Sequence, residues 1–183
     1  CERTAFGHVE AGLQTGYCAD TGGGWGLALV AHESQLHRVP DGMSDEAAVM
    51  VEPTACAVHA ATTVFSDSVA VIGAGTLGLC VIAALRAFTT PHVVIAAAKH
   101  PHQQRLSREL GADVVIEPDA LARVVRRTVP GALVAGEQLT GGVGTVIDCV
   151  GSDASITQAL QVVAPGGTIV LVGMPGRVGL ALT

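Results

Sequence analysis

A glycine-rich turn between a short apolar run and a helix-forming segment constrains the fold of this chain more than any other feature. The apolar run covers residues 69–72, and the helix pattern covers 76–88. Gly73 permits a tight turn, Gly75 lets the backbone approach a pyrophosphate, and Gly78 lets the helix pack close to its strand. The free N–H groups of a first helical turn also attract anions. The pattern therefore predicts a dinucleotide-binding turn, and the alternative is an ordinary strand-to-helix connection.

Strand-like and helix-like segments alternate after this turn. Strands are predicted over residues 69–72, 93–97, 114–116, 146–150 and 169–172, and helices over 76–88, 102–110, 119–128 and 154–163. Gly111 is placed to end a helix, and Pro165, Gly166 and Gly167 to form a turn. Strands joined through helices run parallel with right-handed crossovers, so the pattern predicts an α/β, doubly wound parallel sheet of the Rossmann type.

The region before about residue 60 has a different texture, with several glycines and a strand-like stretch over 27–31. A helical piece over 55–64 joins it to the sheet region, and we place the domain boundary between residues 60 and 61. The triple glycine at 22–24 precedes a strand pattern rather than a helix pattern. It therefore predicts a bend and not a second phosphate loop.

Composition excludes several classes of function. The 183 residues carry a net charge of −6 and no basic cluster larger than Arg126 with Arg127, which argues against a nucleic-acid partner and for a small-molecule substrate. No apolar run reaches the roughly 18 to 20 residues that cross a bilayer, and no signal-peptide pattern opens the chain. The five cysteines are widely spaced, as in reduced proteins. A cytoplasmic protein without membrane contact is expected.

The residues after the second predicted strand bear on the choice of cofactor. Folds of this type that prefer NAD place an acid about 20 residues after the glycine turn. Ala98 stands at that distance from Gly78, and no acid occurs between Asp67 and Glu109. Four basic or titratable side chains cluster there instead: Lys99, His100, His102 and Arg105. A 2′-phosphate suits such a rim, so NADP is favoured over NAD; the alternative is a solvated helix entry.

Seven motifs in a fixed order carry a family resemblance. They are Gly-Gly-Trp-Gly-Leu-Ala-Leu-Val-Ala at 23–31, Val-Pro-Asp-Gly-Met-Ser-Asp-Glu-Ala-Ala at 39–48, Val-Glu-Pro at 51–53, the glycine turn, Leu-Gly-Ala-Asp at 110–113, Asp-Cys-Val-Gly at 148–151, and Pro-Gly-Gly-Thr-Ile-Val-Leu-Val-Gly at 165–173. Over its whole length the chain resembles the zinc-containing medium-chain dehydrogenase/reductases of the alcohol, polyol and threonine dehydrogenase branch. The resemblance implies that 1–60 is the C-terminal part of a mostly β, GroES-like catalytic domain, and that 61–183 is a Rossmann domain lacking its last strand.

The resemblance also implies two zinc ligands. Glu52 matches the position that ligates or orients the catalytic zinc, whereas without the family it is only a helix-entry acid before Pro53. Cys1 resembles the last of four cysteines that hold a structural zinc. The remaining ligands would precede residue 1, so we expect an internal segment of a longer enzyme, inactive by itself.

The residues that the resemblance and the glycine turn assign to the cofactor are Gly73, Gly75, Thr76, Leu77, Gly78, Lys99, His100, Cys149, Val150, Val172, Gly173 and Met174. Leu77 would pack behind the nicotinamide ring, and backbone groups of 172–174 would bind its carboxamide. Cys56 either lines the ring or packs in the core. Asp148 either reaches the cofactor edge or accepts backbone hydrogen bonds as a strand-end acid.

The activity implied is a zinc-dependent transfer of hydride between an alcohol, polyol or carbonyl compound and NADP or NAD, in a homodimer or homotetramer. Two other functions stay open at this point. One is a zinc-independent quinone or enone reductase of the same superfamily. The other is a non-catalytic nucleotide-binding module, because a fold does not establish a function.

Overall fold

A computed structural model of the chain describes residues 23–24, 26–29, 31, 33, 36–129, 134–135, 138–139, 141–174, 176 and 179. The chain divides into two compact units, Cys1–Ala48 and Val49–Thr183. The first unit contains the short helix α1 (Asp45–Ala48). The predicted strand over 27–31 is wrong for its described residues, which have no strand conformation. A β-strand needs a neighbouring strand to hydrogen-bond with, and no described segment pairs with this one.

The second unit alternates helices and strands. Its elements are α2 (Val51–Thr62), β1 (Ser68–Ile72), α3 (Thr76–Phe88), β2 (Val93–Ala97), α4 (Pro101–Glu109), β3 (Val114–Ile116), a 3₁₀ turn (Pro118–Ala120), α5 (Leu121–Thr128), β4 (Val134–Ala135), β5 (Gln138–Leu139), β6 (Val143–Asp148), α6 (Asp153–Val162) and β7 (Val163–Leu171). Five strands form one parallel sheet in the order β3-β2-β1-β6-β7. The predicted Rossmann-type fold is confirmed. Strands β4 and β5 pair separately as a short antiparallel ribbon.

The central strands β1, β2 and β6 are buried on both faces, as a parallel sheet requires. Side chains alternate between the faces along β1: Val69 and Val71 belong to one apolar cluster, with α2 and α3, and Ala70 and Ile72 to the other, with α5 and α6. The helices of the second cluster contribute Leu121, among others. The sheet is thus fixed from both sides, and only the edges where its strands begin and end remain for a binding site.

Several boundaries differ from the prediction. Helix α2 starts at Val51 rather than at 55, and its buried residues Ala57, Ala60 and Ala61 pack with the second unit. Residues 49–60 therefore belong with the sheet, whereas the assignment of 1–60 to a catalytic domain stays a prediction. The turn predicted at 165–167 is wrong: these residues lie within β7, where Gly166 has φ +76° and the register with β6 shifts. A bulge absorbs the glycines while strand pairing continues.

Gly111 ends α4 as predicted, with φ +103°. The N–H of Ala112 donates to the carbonyl of Ser107 at 2.9 Å, which closes the helix end. No helix among the described residues has the length and apolar character to cross a bilayer.

Candidate nucleotide-binding site

The turn between β1 and α3 is shaped by glycines that leave no room for side chains. Gly73 has φ +87°, and a Cβ placed on it would lie 2.4 Å from Cγ2 of Val150. A Cβ on Gly78 would lie 1.8 Å from the carbonyl oxygen of Gly73. Helix α3 therefore packs against the backbone of the turn itself. These are the structural roles that the spacing predicted for the two residues.

Gly75 differs, because a Cβ placed there meets nothing within 4 Å. Gly75 is the N-cap of α3, and no side chain caps the helix. The first hydrogen bond of the helix runs from the N–H of Leu79 to the carbonyl of Gly75 at 2.9 Å. The amides of Thr76 and Leu77 precede this bond and begin a helix at an exposed turn. An N-terminus of this kind is a site for an anionic group such as a diphosphate.

This turn lies where the order of the sheet reverses. β1 pairs with β2 on one side and with β6 on the other, so the chain crosses to opposite sides from β1. The carboxyl ends of such strands flank the crevice in which open α/β sheets bind ligands. A Cβ on Gly173, after β7, would lie 2.6 Å from the carbonyl carbon of Val150, after β6. Three turns thus meet at this edge.

Two backbone N–H groups after β7 are already hydrogen-bonded within the protein. The N–H groups of Val172 and Gly173 both donate to the carbonyl of Asp148 at 2.9 Å. Contacts from these two residues to a carboxamide would therefore use their carbonyl oxygens. Met174 lies beside them with a 72% exposed side chain.

The carboxylate of Asp148 is fully buried and satisfied within the protein. One oxygen accepts from the N–H groups of Val150 (2.9 Å) and Gly151 (3.3 Å), and the other accepts from the hydroxyl of Ser155 (2.9 Å). Asp148 is thus the strand-end acid of the two alternatives. The sequence analysis did not predict a role for Ser155, although its spacing from the N-cap Ser152 is that of a capping pair.

Cys149 lies between this acid and α3. Burial, followed by the neighbouring charge of Asp148, raises the pKa of its thiol to about 12. The side chain is therefore a neutral thiol at physiological pH. It packs against the core cluster on the α3 side of the sheet.

The segment after β2 carries the basic rim at the same edge. Ala98 is buried and donates its N–H to the carbonyl of Ile116 at 2.8 Å, so no acid occupies this strand end. Lys99 and His100 follow it and are exposed. The imidazole rings of His100 and His102 are stacked, with centroids 5.7 Å apart and planes 4° from parallel.

Glu52 and Cys56 lie one turn apart on α2, and the thiol of Cys56 donates to a carboxylate oxygen of Glu52 at 3.4 Å. Burial, then the hydrogen bond and charge of Glu52, raises the pKa of this thiol. The hydroxyl of Thr54 reaches the sulfur of Cys80 on α3 at 3.9 Å. This contact brings the first turn of α2 close to the second turn of α3.

The described residues do not complete a zinc site. No three His, Cys, Asp or Glu side chains within the described part of the chain come together to hold a metal. Glu52 and Cys56 supply two donors, whereas zinc in proteins takes three or four. Cys1 lies outside the described residues. Glu52 as a zinc ligand therefore stays a prediction.

Comparison with known proteins identifies relatives. The family described as zinc-binding dehydrogenase matches residues 76–181. (R,R)-butanediol dehydrogenase of Bacillus subtilis is 31% identical over 170 residues, which cover 88% of this chain and 45% of that one. D-arabitol-phosphate dehydrogenase of Enterococcus avium is 28% identical over 152 residues, covering 80% and 41%. A zinc-binding dehydrogenase structure from Sinorhizobium meliloti bound to NADP has 29% identity and a TM-score of 0.57, covering 70% of this chain and 38% of that one.

The chain thus spans less than half the length of these three relatives. The family match over 76–181 begins at the first residue of α3 and includes β2, β3, β6 and β7.

Proposed function

We propose that this chain, which belongs to the family of zinc-binding dehydrogenases, binds a nicotinamide dinucleotide at the glycine turn. The observation that carries this proposal is the exposed start of α3, where Gly75 leaves an open approach and no side chain caps the helix. The residues present fit the group, because amides and open backbone are what a diphosphate requires.

Each part of the site has its own proposed task. The amides of Thr76 and Leu77 bind the diphosphate, and Lys99 with His100 binds a 2′-phosphate, which makes NADP the preferred cofactor. Leu77, Cys149, Val150 and Met174 provide apolar surface beside the nicotinamide, with the backbone of 172–174 at its carboxamide. When bound, the nicotinamide accepts or donates a hydride at its ring.

The whole protein is proposed to oxidise an alcohol or polyol, or to reduce the corresponding carbonyl compound. The names of the relatives, a butanediol dehydrogenase and an arabitol-phosphate dehydrogenase, support this substrate class. Glu52 is proposed as one ligand of a zinc ion. Since the described residues do not complete that site, no catalytic step is assigned to it. We further propose that the whole protein is a cytoplasmic homodimer or homotetramer.

Calorimetric titration of the chain with NADP tests the binding site. Gly75→Asp should lower the affinity at least about tenfold, since a carboxylate would occupy the diphosphate path. The melting temperature should not fall, because the new side chain meets open space and a carboxylate is a favourable N-cap. Gly24→Asp adds the same charge at another glycine with nothing within 4 Å, and should bind as the unaltered chain does. Equal NADP affinity of the two variants would contradict the proposed binding site.

Two further measurements on the whole protein separate the remaining functions. Turnover of alcohols that survives chelators, with no zinc in metal analysis, would indicate the zinc-independent reductase. Cofactor binding without turnover on a broad panel of alcohols and carbonyl compounds would indicate the non-catalytic module.

A further inference from the structure

The stacked histidines at the start of α4 have no task in the proposed function beyond the contact of His100 with a 2′-phosphate. Both rings are exposed, yet they lie parallel with centroids 5.7 Å apart. An exposed imidazole otherwise samples several rotamers, so each ring of the pair restricts the other.

The backbone between the rings favours this arrangement. His100 is the N-cap residue, extended at φ −108° and ψ 145°, and Pro101 fixes the first helical position. The N–H of His100 donates to Oε1 of Gln103 at 3.3 Å. The side chain of Gln104 donates to the carbonyl of Ala98 at 3.0 Å. The segment is therefore held from both sides of the stack, while its basic side chains remain at the surface.

The two rings have different places relative to the glycine turn. His100 and Lys99 come directly after β2, the strand that pairs with β1 and ends at the edge of the turn. His102 lies further along, on the first turn of α4. His100 is thus placed to meet a 2′-phosphate, and His102 is placed to support it.

We propose that His102 is a positioning residue for cofactor specificity: by stacking on His100 it holds that imidazole toward the 2′-phosphate of NADP. The inference rests on the proposed function and deepens it. A ring held in one orientation loses less rotamer entropy on binding than a free one. The consequence is confined to the affinity that the 2′-phosphate adds.

That added affinity is measured with two probes, adenosine 2′,5′-bisphosphate and AMP, which differ only by the 2′-phosphate. The ratio of their dissociation constants is determined by calorimetry for the unaltered chain and its variants. His102→Ala should lower the preference for the bisphosphate about tenfold without changing the affinity for AMP. His102→Phe keeps an aromatic ring for the stack and should restore the preference to within about twofold.

Two more variants complete the test. His100→Ala should lose at least as much preference as His102→Ala, and the double variant should lose no more than His100→Ala, because His102 acts only through His100. His92→Ala removes an exposed histidine from the opposite edge of the sheet and should change nothing.

The outcomes separate this inference from the proposed function. If His102→Ala keeps the preference, or if His102→Phe loses as much as His102→Ala, the positioning role is overturned; the second result would show that His102 acts through its own charge. Failure of the unaltered chain to bind either probe would overturn the proposed nucleotide site and this inference with it.

Discussion

The two edges of the sheet use their polar groups in opposite ways. At the amino edge, the guanidinium of Arg86 donates to the carbonyls of Gly111 (2.8 Å) and Pro91 (3.1 Å) and pairs with Asp113. At the carboxyl edge, the amides that open α3 have no capping side chain, and Gly75 faces open space. The amino edge uses these polar groups to join loops, whereas the carboxyl edge uses those around Asp148 in the same way and leaves the first amides of α3 exposed. This contrast favours the start of α3 as the candidate binding site.

Within six residues the glycine turn contains tightly packed backbone at Gly78 and open backbone at Gly75, and substitution of each glycine separates the two. Gly78→Ala would place a Cβ 1.8 Å from a backbone oxygen that cannot move aside. We expect a loss of about 3 kcal/mol or more in the free energy of unfolding, measured with urea. Gly75→Ala, in open space, should lower it by no more than about 1 kcal/mol, the cost of a poorer N-cap. Similar stabilities of the two variants would show that α3 does not pack on the turn as described.

At the carboxyl edge, Asp148 is buried and its carboxylate is hydrogen-bonded within the protein. Asp148→Ala leaves the backbone N–H groups of Val150 and Gly151 without their acceptor, whereas the hydroxyl of Ser155 keeps the carbonyl of Ser152. The free energy of unfolding should fall by about 3 kcal/mol, and by less for Ser155→Ala, which removes the bonds of this hydroxyl to Asp148 and Ser152 but leaves the carboxylate with both backbone donors. Chemical denaturation of both variants measures the difference. A cost for Asp148→Ala no greater than that of Ser155→Ala would contradict the central role of the carboxylate.

The parts of the fold that the sequence predicted are those set by local pattern. Helix α3 and strands β2 and β3 have the predicted bounds, because each is an apolar or helical run between residues that break it. The helix pattern over 55–64 misses the start of α2, whose first turn contains Pro53; proline is tolerated there. The bulge in β7 could not be predicted, since it depends on pairing with β6.

The same limit applies to the site. The spacing of Gly73, Gly75 and Gly78 is local and indicated the turn. The engagement of the amides of Val172 and Gly173 by Asp148 joins segments distant in the chain, so no sequence pattern could reveal it. Contact of these residues with a cofactor stays a prediction.

A pair of charge removals tests the contrast between the edges directly. Arg86→Ala should lower the free energy of unfolding by about 1 kcal/mol, an amount reduced by partial exposure of the pair, and leave NADP affinity unchanged. Lys99→Ala should leave stability within about 0.5 kcal/mol and weaken NADP binding about tenfold, without affecting NAD. Thermal unfolding and calorimetry measure both quantities. If Lys99→Ala keeps the preference for NADP, the basic rim is only a solvated helix entry.

The smallest expected effect concerns Cys149, which is partly buried beside Asp148. Its pKa of about 12 keeps the thiol neutral and slow to alkylate at pH 8. Ionisation is opposed only in the folded state, so this residue favours folding less as pH rises from the ordinary thiol range toward 12. Peptide mapping after iodoacetamide treatment should find Cys56, which is exposed, modified before Cys149. Equal rates at the two cysteines would mean that the Cys149 thiol is as accessible to the reagent as that of Cys56.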